Sequence, residues 1–380
     1  MKTAYLDNAA TTPMRPEVIE KITESLQTNY ANASATYAIG RKSKAIMEAA
    51  RKQIASWIGV EAAEIIFTSG GTEANNLILN SCVRDLEVVH IITSKIEHHA
   101  VLNTVKALQK YFNLQVSYVK ILPTGDICMN SLKMLLEKSD LKTLVSLMHI
   151  NNEIGTVLNL EAVAELCKNY KALFHTDMVQ SVGHFPLNLI DSGVDFTSAS
   201  AHKLYGPKGI GFAMIKKNAG LKSMQFGGEQ ERGLRAGTEA IHQIEGMLVA
   251  LNLAYQNLYS ERDYISELKN YAVAEIRKQL PEVKFNAQTN QDHRNYNLLN
   301  ICLPISNEKA STTLFKLDME GICVSRGSAC QSGSNKPSHV LAEFLNKEDL
   351  AKTSLRISFS IYNTNEDTDQ LIKALKKILN

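Results

Sequence analysis

The chain has 380 residues, 44% hydrophobic and 21% charged, with 41 basic and 39 acidic side chains for a net charge of +2. These values describe a globular chain of about two domains with room for a large core. The near-neutral balance gives no electrostatic case for nucleic acid or an anionic membrane as a partner, and no run of about 18 apolar residues suggests a membrane span.

The start, Met1–Asn8, has no apolar stretch of the kind a secretory signal needs. From there, short apolar runs alternate with helical patterns. Strands are predicted at Glu64–Thr68, Val88–Thr93, Leu144–Met148, Ala172–His175, Asp195–Ser198 and Gly209–Ile215. Helical patterns lie between them at Thr72–Cys82, His99–Lys110 and Leu160–Tyr170. Strands apolar on both faces, alternating with helices, predict an α/β fold with a mostly parallel sheet covered on both sides. One long helix is predicted from about Gly246 to Gln279, ended by Pro281. Beyond it, Val283–Phe285, Leu298–Leu303, Ile322–Val324 and Leu355–Ile361 read as strands. Asn307–Met319 and a closing segment from about Glu366 read as helices. This looser order predicts a smaller α+β domain, with no Pro/Gly/Ser-rich linker before it.

Six cysteines lie at positions 82, 128, 167, 302, 323 and 330, none in C-x-x-C spacing. That argues against zinc-ribbon and thioredoxin-type sites, and the scatter suits a reducing cytosol, hence a cytoplasmic protein.

The chemistry concentrates in polar turns. Lys203 follows a histidine in Ser198–Gly209, with glycine and proline close behind. A lysine poorly solvated there loses its proton readily and can form a Schiff base with an aldehyde cofactor; the alternative is an exposed turn lysine. Thr68–Asn76 follows a strand and opens a helix, so its glycines and Thr72 can seat a phosphate; the alternative is an ordinary capped turn. Asp177 comes at a strand's carboxyl end, where α/β folds bind ligands, with Gln180 three residues on. It can pair with a protonated ring nitrogen or serve as a helix cap. Glu97, His98 and His99 are adjacent and point apart, so they make a poor metal site, and no metal is expected. His98 reads better as an aromatic cover and proton shuttle over a planar ring, against a purely structural histidine. Cys330 sits in the small, polar segment Ser325–Ser338, where a reactive thiol is favoured over an inert buried one. Arg356, between apolar neighbours, can grip a carboxylate or form a surface ion pair. Asn152 can add a donor or serve as turn chemistry.

Taken together and in order, Tyr5–Pro13, Thr68–Asn76, His149–Gly155, His175–Ser181, Ala201–Gly209, Arg235–Thr238, Gly327–Cys330 and Leu355–Ser358 resemble the cysteine desulfurases. These are pyridoxal 5′-phosphate enzymes of fold type I in the class V aminotransferase group. The resemblance implies a large cofactor-binding domain, residues 15–257, with a mostly parallel seven-stranded sheet. It implies a small domain of residues 1–14 and 258–380 that carries the cysteine loop. It also implies roles. Lys203 holds the cofactor, Asp177 pairs with its pyridine nitrogen, Gln180 bonds its phenolic oxygen and His98 stacks on the ring. Gly71, Thr72, Ser200 and His202 bind its phosphate, and Thr238 reaches the phosphate of a second subunit in a homodimer. Asn152 and Arg356 hold the carboxylate of L-cysteine, and Cys330 attacks its sulfur. The implied products are alanine and an enzyme persulfide, passed to a sulfur-acceptor protein for iron–sulfur cluster assembly or tRNA thiolation. Selenocysteine lyase and other class V reactions are the nearest alternatives.

The segment Arg326–Ser338 looks like the group with an extended cysteine loop. Arg326 stands where a small residue is commoner, and the chain ends at Asn380, soon after its last helix. Both features bear on how an acceptor would dock.

Overall fold

The computed structural model describes residues 3–287, 294–327 and 337–379. β1 (Ala4–Tyr5) opens the chain. α1 (Pro16–Thr28) begins on a proline, which suits a first helical turn, and α2 (Ala38–Ile58) stops at Gly59, whose φ of 69° makes a left-handed cap. Then come β2 (Ile65–Thr68), α3 (Gly71–Asp85), β3 (His90–Thr93), α4 (His99–Tyr111), β4 (Gln115–Tyr118) and α5 (Met129–Glu137). β5 (Thr143–Ser146), α6 (Leu160–Asn169), β6 (Leu173–Asp177), β7 (Phe196–Ser200) and β8 (Gly211–Ile215) follow.

β2 to β8 form one seven-stranded sheet in the order β2-β8-β7-β6-β5-β3-β4. Only β8 runs against its neighbours. The link from β7 to β8 is too short for a crossover helix, so the strand must return antiparallel. Alternate residues enter two separate cores. Phe67, Ile92, Val145 and Phe174 pack with Ile54 and Ile58 of α2 on one face. Ile66, Ile91 and Leu144 pack with Ile78 of α3 and Val101 and Val105 of α4 on the other. That two-sided burial is what the unbroken apolar runs encode.

The remainder comprises α7 (Ile241–Gln256), α8 (Leu258–Gln279), β9 (Lys284–Phe285), β10 (Leu298–Ser306), α9 (Ala310–Met319) and β11 (Ile322–Cys323). α10 (Lys347–Leu350), β12 (Lys352–Ser358) and α11 (Asn365–Leu379) complete it. β10 pairs antiparallel with both β9 and β12, and β1 pairs with β11. Leu6, Ile265 and Leu268 of α8, Leu299 and Ile301 of β10, Ile357 of β12 and Leu371 of α11 share a third core.

The fold corrects the sequence reading in places. The single helix predicted over 246–279 is two, broken at Asn257. The Asn257 amide side chain donates to Leu253 O at 2.9 Å and Ser260 Oγ donates to Asn257 O at 3.0 Å, so side chains compete with the helical ladder there. α1, α2, α5 and β4 are additional to the predicted elements. Among the described residues, no helix is long and apolar enough to cross a membrane.

Candidate active site

The carboxyl ends of β2, β3, β5, β6 and β7 open onto one cavity of about 460 Å³. Gly71, Thr72, His98, Asn152, Asp177, Gln180, Ser200, His202, Lys203 and Arg356 all line it. All but Arg356, which lies within β12, sit at or beyond the ends of strands of the seven-stranded sheet, so the fold brings together residues far apart in sequence.

Lys203 closes a single 3₁₀ turn after β7. Its Nζ donates to Ala9 O at 2.7 Å and Ala10 O at 2.6 Å. Both acceptors are main-chain carbonyls on the N-terminal segment. That segment is held by Thr12, whose amide and hydroxyl both donate to His202 O. Gln180 Nε2 donates to the same Ala9 O at 3.0 Å.

Asp177 ends β6 and is buried. Asn75 Nδ2 donates to its Oδ2 at 2.7 Å and the Val179 amide to its Oδ1 at 3.0 Å. Both carboxylate oxygens are thereby fixed toward the cavity. Facing it, His98 accepts the Ala100 amide on Nδ1 at 3.1 Å, which leaves the other ring nitrogen to carry the proton. Burial pulls the His98 pKa down, and Lys203 adds to this while Asp177 opposes it, so the ring is a neutral flat surface. Burial, with Lys203 and Lys208, takes His202 down to about 4.

The α3 N-terminus aims at the cavity floor. Its cap, Gly70, has no side chain to offer the first-turn amides. A Cβ on Gly71 would fall 2.4 Å from Val179 Cγ2, so the backbone approaches the 177–179 turn as only glycine allows. With the Thr72 and Ser200 hydroxyls beside it, this end makes an anion cradle.

On the opposite wall, Arg356 of β12 is buried. Its Nη2 donates to Asp7 Oδ1 at 2.8 Å and its Nη1 to Asn152 O at 3.0 Å, while its Nε lies buried without a protein partner. In place of a surface ion pair, the buried Arg356 pairs with the half-buried Asp7.

An amine, a fixed buried carboxylate, a flat neutral ring and an anion cradle fit an anionic, aldehyde-bearing pyridine ring. Two site expectations stand apart. Thr238 lines a separate cavity of about 130 Å³ that shares Ser69 and Gly209 with the main one. Cys330 lies outside the described residues. Sequence reasoning missed Asn75, Asp7 and the Ala9 and Ala10 carbonyls. Asn75 lies one helical turn after Gly71, and that spacing was the available signal.

The family described as Aminotransferase class-V matches residues 4–371. A cysteine desulfurase IscS of Dictyoglomus turgidum is 40% identical, over 99% of this chain and 94% of that one. A solved NifS-like protein superposes with a TM-score of 0.90 at 32% identity, covering 100% of this chain and 99% of that one. Another solved structure, described as SspA in complex with cysteine, gives 0.78 at 31% identity over 95% of this chain and 99% of that one.

Proposed function

Since the chain belongs to the cysteine desulfurases of the class-V aminotransferase family, we propose that it takes sulfur from L-cysteine onto Cys330, leaving L-alanine. Proteins of this family are pyridoxal 5′-phosphate enzymes. When bound, that cofactor supplies an electron sink next to the substrate's amino-bearing carbon. The observation that carries the reading is the convergence of Lys203, Asp177 and the α3 cradle on one cavity.

In this reading Lys203 Nζ would hold the cofactor at its aldehyde carbon, and its amine would move the proton at the substrate α-carbon. Asp177, fixed by Asn75, binds the proton on the pyridine nitrogen. Gln180 orients the phenolic oxygen, His98 covers the ring, and Gly71, Thr72, Ser200 and His202 seat the phosphate. Arg356 and Asn152 bind the substrate carboxylate, which must share the guanidinium with Asp7. The Cys330 thiolate attacks the substrate sulfur. The carbon–sulfur bond breaks, a sulfur–sulfur bond forms, and the carbon takes a proton to become alanine. Cys82, Cys167, Cys302 and Cys323 suit this step poorly. Burial pushes their thiols up, and none of them lines the cavity.

The same reading places the cofactor on residues 15–257 and the cysteine segment with 1–14 and 258–380. It makes the protein a cytoplasmic homodimer in which Thr238 reaches the phosphate in a second copy. The persulfide then passes to a protein acceptor serving iron–sulfur assembly or tRNA thiolation. C330S is expected to keep the visible absorbance of the bound cofactor and lose sulfide release in the presence of a thiol reductant. Undiminished sulfide release by C330S would remove Cys330 from the reaction.

A further inference from the structure

His184 is buried and takes no part in lining the cavity, yet it touches the main chain of Lys203. Its Nε2 lies 2.9 Å from Lys203 O. A carbonyl oxygen only accepts, so Nε2 carries the proton. Nδ1 is then an acceptor, and the Tyr296 hydroxyl, 2.7 Å away, donates to it. Burial lowers the His184 pKa, which keeps the ring neutral and this tautomer in place. The result is a directed chain of two hydrogen bonds from Tyr296 through His184 to Lys203.

The surroundings hold that chain rigidly. Gly183, with φ of 79°, lets the backbone come so near that an added Cβ would lie 3.1 Å from Leu204 Cβ. Tyr205 meets the His184 ring edge-on at 6.5 Å between centroids. Phe185 lies 5.6 Å from the Tyr296 ring, and the Arg262 guanidinium of α8 sits over both at 5.3 and 5.9 Å. Tyr296 belongs to the third core and its neighbours are pinned: Asn295 donates its amide to Gly155 O at 2.8 Å and accepts Lys269 Nζ at 2.7 Å. Lys203 is thus held at two points, its carbonyl by His184 and its ammonium by Ala9 and Ala10.

We propose that His184, oriented by Tyr296, is a positioning residue for Lys203. It fixes the turn from which the lysine enters the cavity, so the amine stays in reach of the reacting carbon after leaving the cofactor. This rests on the reading of Lys203 as the cofactor-holding amine. The anchor acts on the backbone carbonyl, which stays put while the side chain swings. Its loss therefore falls on turnover more than on substrate binding.

The test uses the cofactor-loaded enzyme and four variants: Y296F, H184F, H184Q and K203A. Y296F removes one hydroxyl and leaves His184 Nδ1 without the donor that orients the ring. H184F keeps the aromatic volume and leaves Lys203 O without this donor, whereas H184Q retains an N–H donor. Visible absorbance is titrated against pH, kcat and KM are measured, and melting is followed to confirm the fold. Y296F and H184F are expected to shift the absorbance midpoint and lower kcat roughly tenfold with KM nearly unchanged, as misplacing a reacting group does. H184Q is expected to recover most of both. Wild-type midpoint and kcat in Y296F would overturn the proposal, and this variant decides the matter even if H184F fails to fold. No recovery in a folded H184Q would count against it as well. K203A separates the two readings. If borohydride fixes no cofactor to the wild-type chain, and K203A absorbs as the wild type does, the Lys203 reading itself fails. If Lys203 is fixed and Y296F behaves as wild type, only the His184 role fails.

Discussion

Asn75 and Arg356 show how much of this site depends on single side chains. Asn75 Nδ2 is the side-chain donor to Asp177, whose second oxygen is taken by a main-chain amide. A hydrogen bond to a charged group contributes about 1.5 to 3 kcal/mol, most of it here to orientation, because both partners are buried. N75A is therefore expected to weaken cofactor retention at least tenfold, read by equilibrium dialysis, with only a small drop in melting temperature. Unchanged retention would mean that Asp177 does not need the amide. Arg356 makes the complementary case. R356K keeps the charge but loses the fork that serves Asp7 and Asn152 at once. KM for cysteine should rise by about tenfold or more while the cofactor's absorbance stays put. Lys203, Asp177 and His98 were legible because polar residues after apolar strands already mark the ligand-binding end of an α/β sheet. Asn75 was not, because which face of α3 meets β6 depends on the packing of the whole sheet. The Ala9 and Ala10 carbonyls leave no side-chain signature at all.

At the scale of elements, one ion pair ties α2 to the turn that precedes α7. Arg51 of α2 and Glu231 are both buried and meet through two bonds of 2.7 and 2.8 Å. Glu231 also accepts the Phe67 amide of β2 at 2.7 Å, and the Arg51 guanidinium lies 4.6 Å from the Phe67 ring centre. The turn needs this anchor. Glu231 and Arg232 both have left-handed backbones, at φ of 47° and 59°, a conformation that costs about 1 kcal/mol or more for each side-chain-bearing residue. E231A would strip the buried Arg51 of its two-bond partner and leave it only the more exposed Glu48, 3.2 Å from its Nε, as a counter-charge. The expected loss is about 3 to 5 kcal/mol, read as a lower urea midpoint. A loss under about 1 kcal/mol would show that water reaches the pair. Nothing in the sequence around Glu231 announces this pair, since its partner lies 180 residues away. Six of the seven strands of the main sheet were legible to within two residues because both sheet faces are buried and their apolar runs are unbroken, whereas β4, at the sheet edge and partly exposed, was not. The break at Asn257 was hidden for the same kind of reason. Ala250, Leu251, Ala254 and Leu258 are all buried and carry the apolar pattern straight through it.

For the molecule as a whole, buried titratable groups set how stability varies with pH. His149 and His175 are buried, and burial takes each from an ordinary 6.5 down to about 4. In the folded protein they stay neutral until about pH 4, while in the unfolded chain they bind protons below 6.5. The unfolded state therefore gains protons first as pH falls, and stability drops between 6.5 and 4, by about 3 kcal/mol for each histidine at most. Lowered values at His98, His184 and His202 push in the same direction. Glu97 works oppositely. Burial raises its carboxyl from 4.5 to about 8, although Ser94 donates to it at 2.6 Å. It remains protonated when folded and ionises above 4.5 when unfolded, so its contribution is lost as pH rises toward 8. Between 4.5 and 6.5 the histidines outweigh the single glutamate. Between 6.5 and 8 Glu97 acts against no histidine titration and costs about 1.4 kcal/mol per pH unit. Stability should therefore peak near pH 6.5 and fall on both sides, more steeply toward acid, in urea unfolding followed across pH 4 to 8. E97Q keeps an acceptor for Ser94 and cannot ionise, so it should flatten the alkaline side and steepen the acid side between pH 4.5 and 6.5, where Glu97 otherwise opposes the histidines. An alkaline decline that survives in E97Q would have to come from another group, and Glu97 would then be ionised in the folded protein.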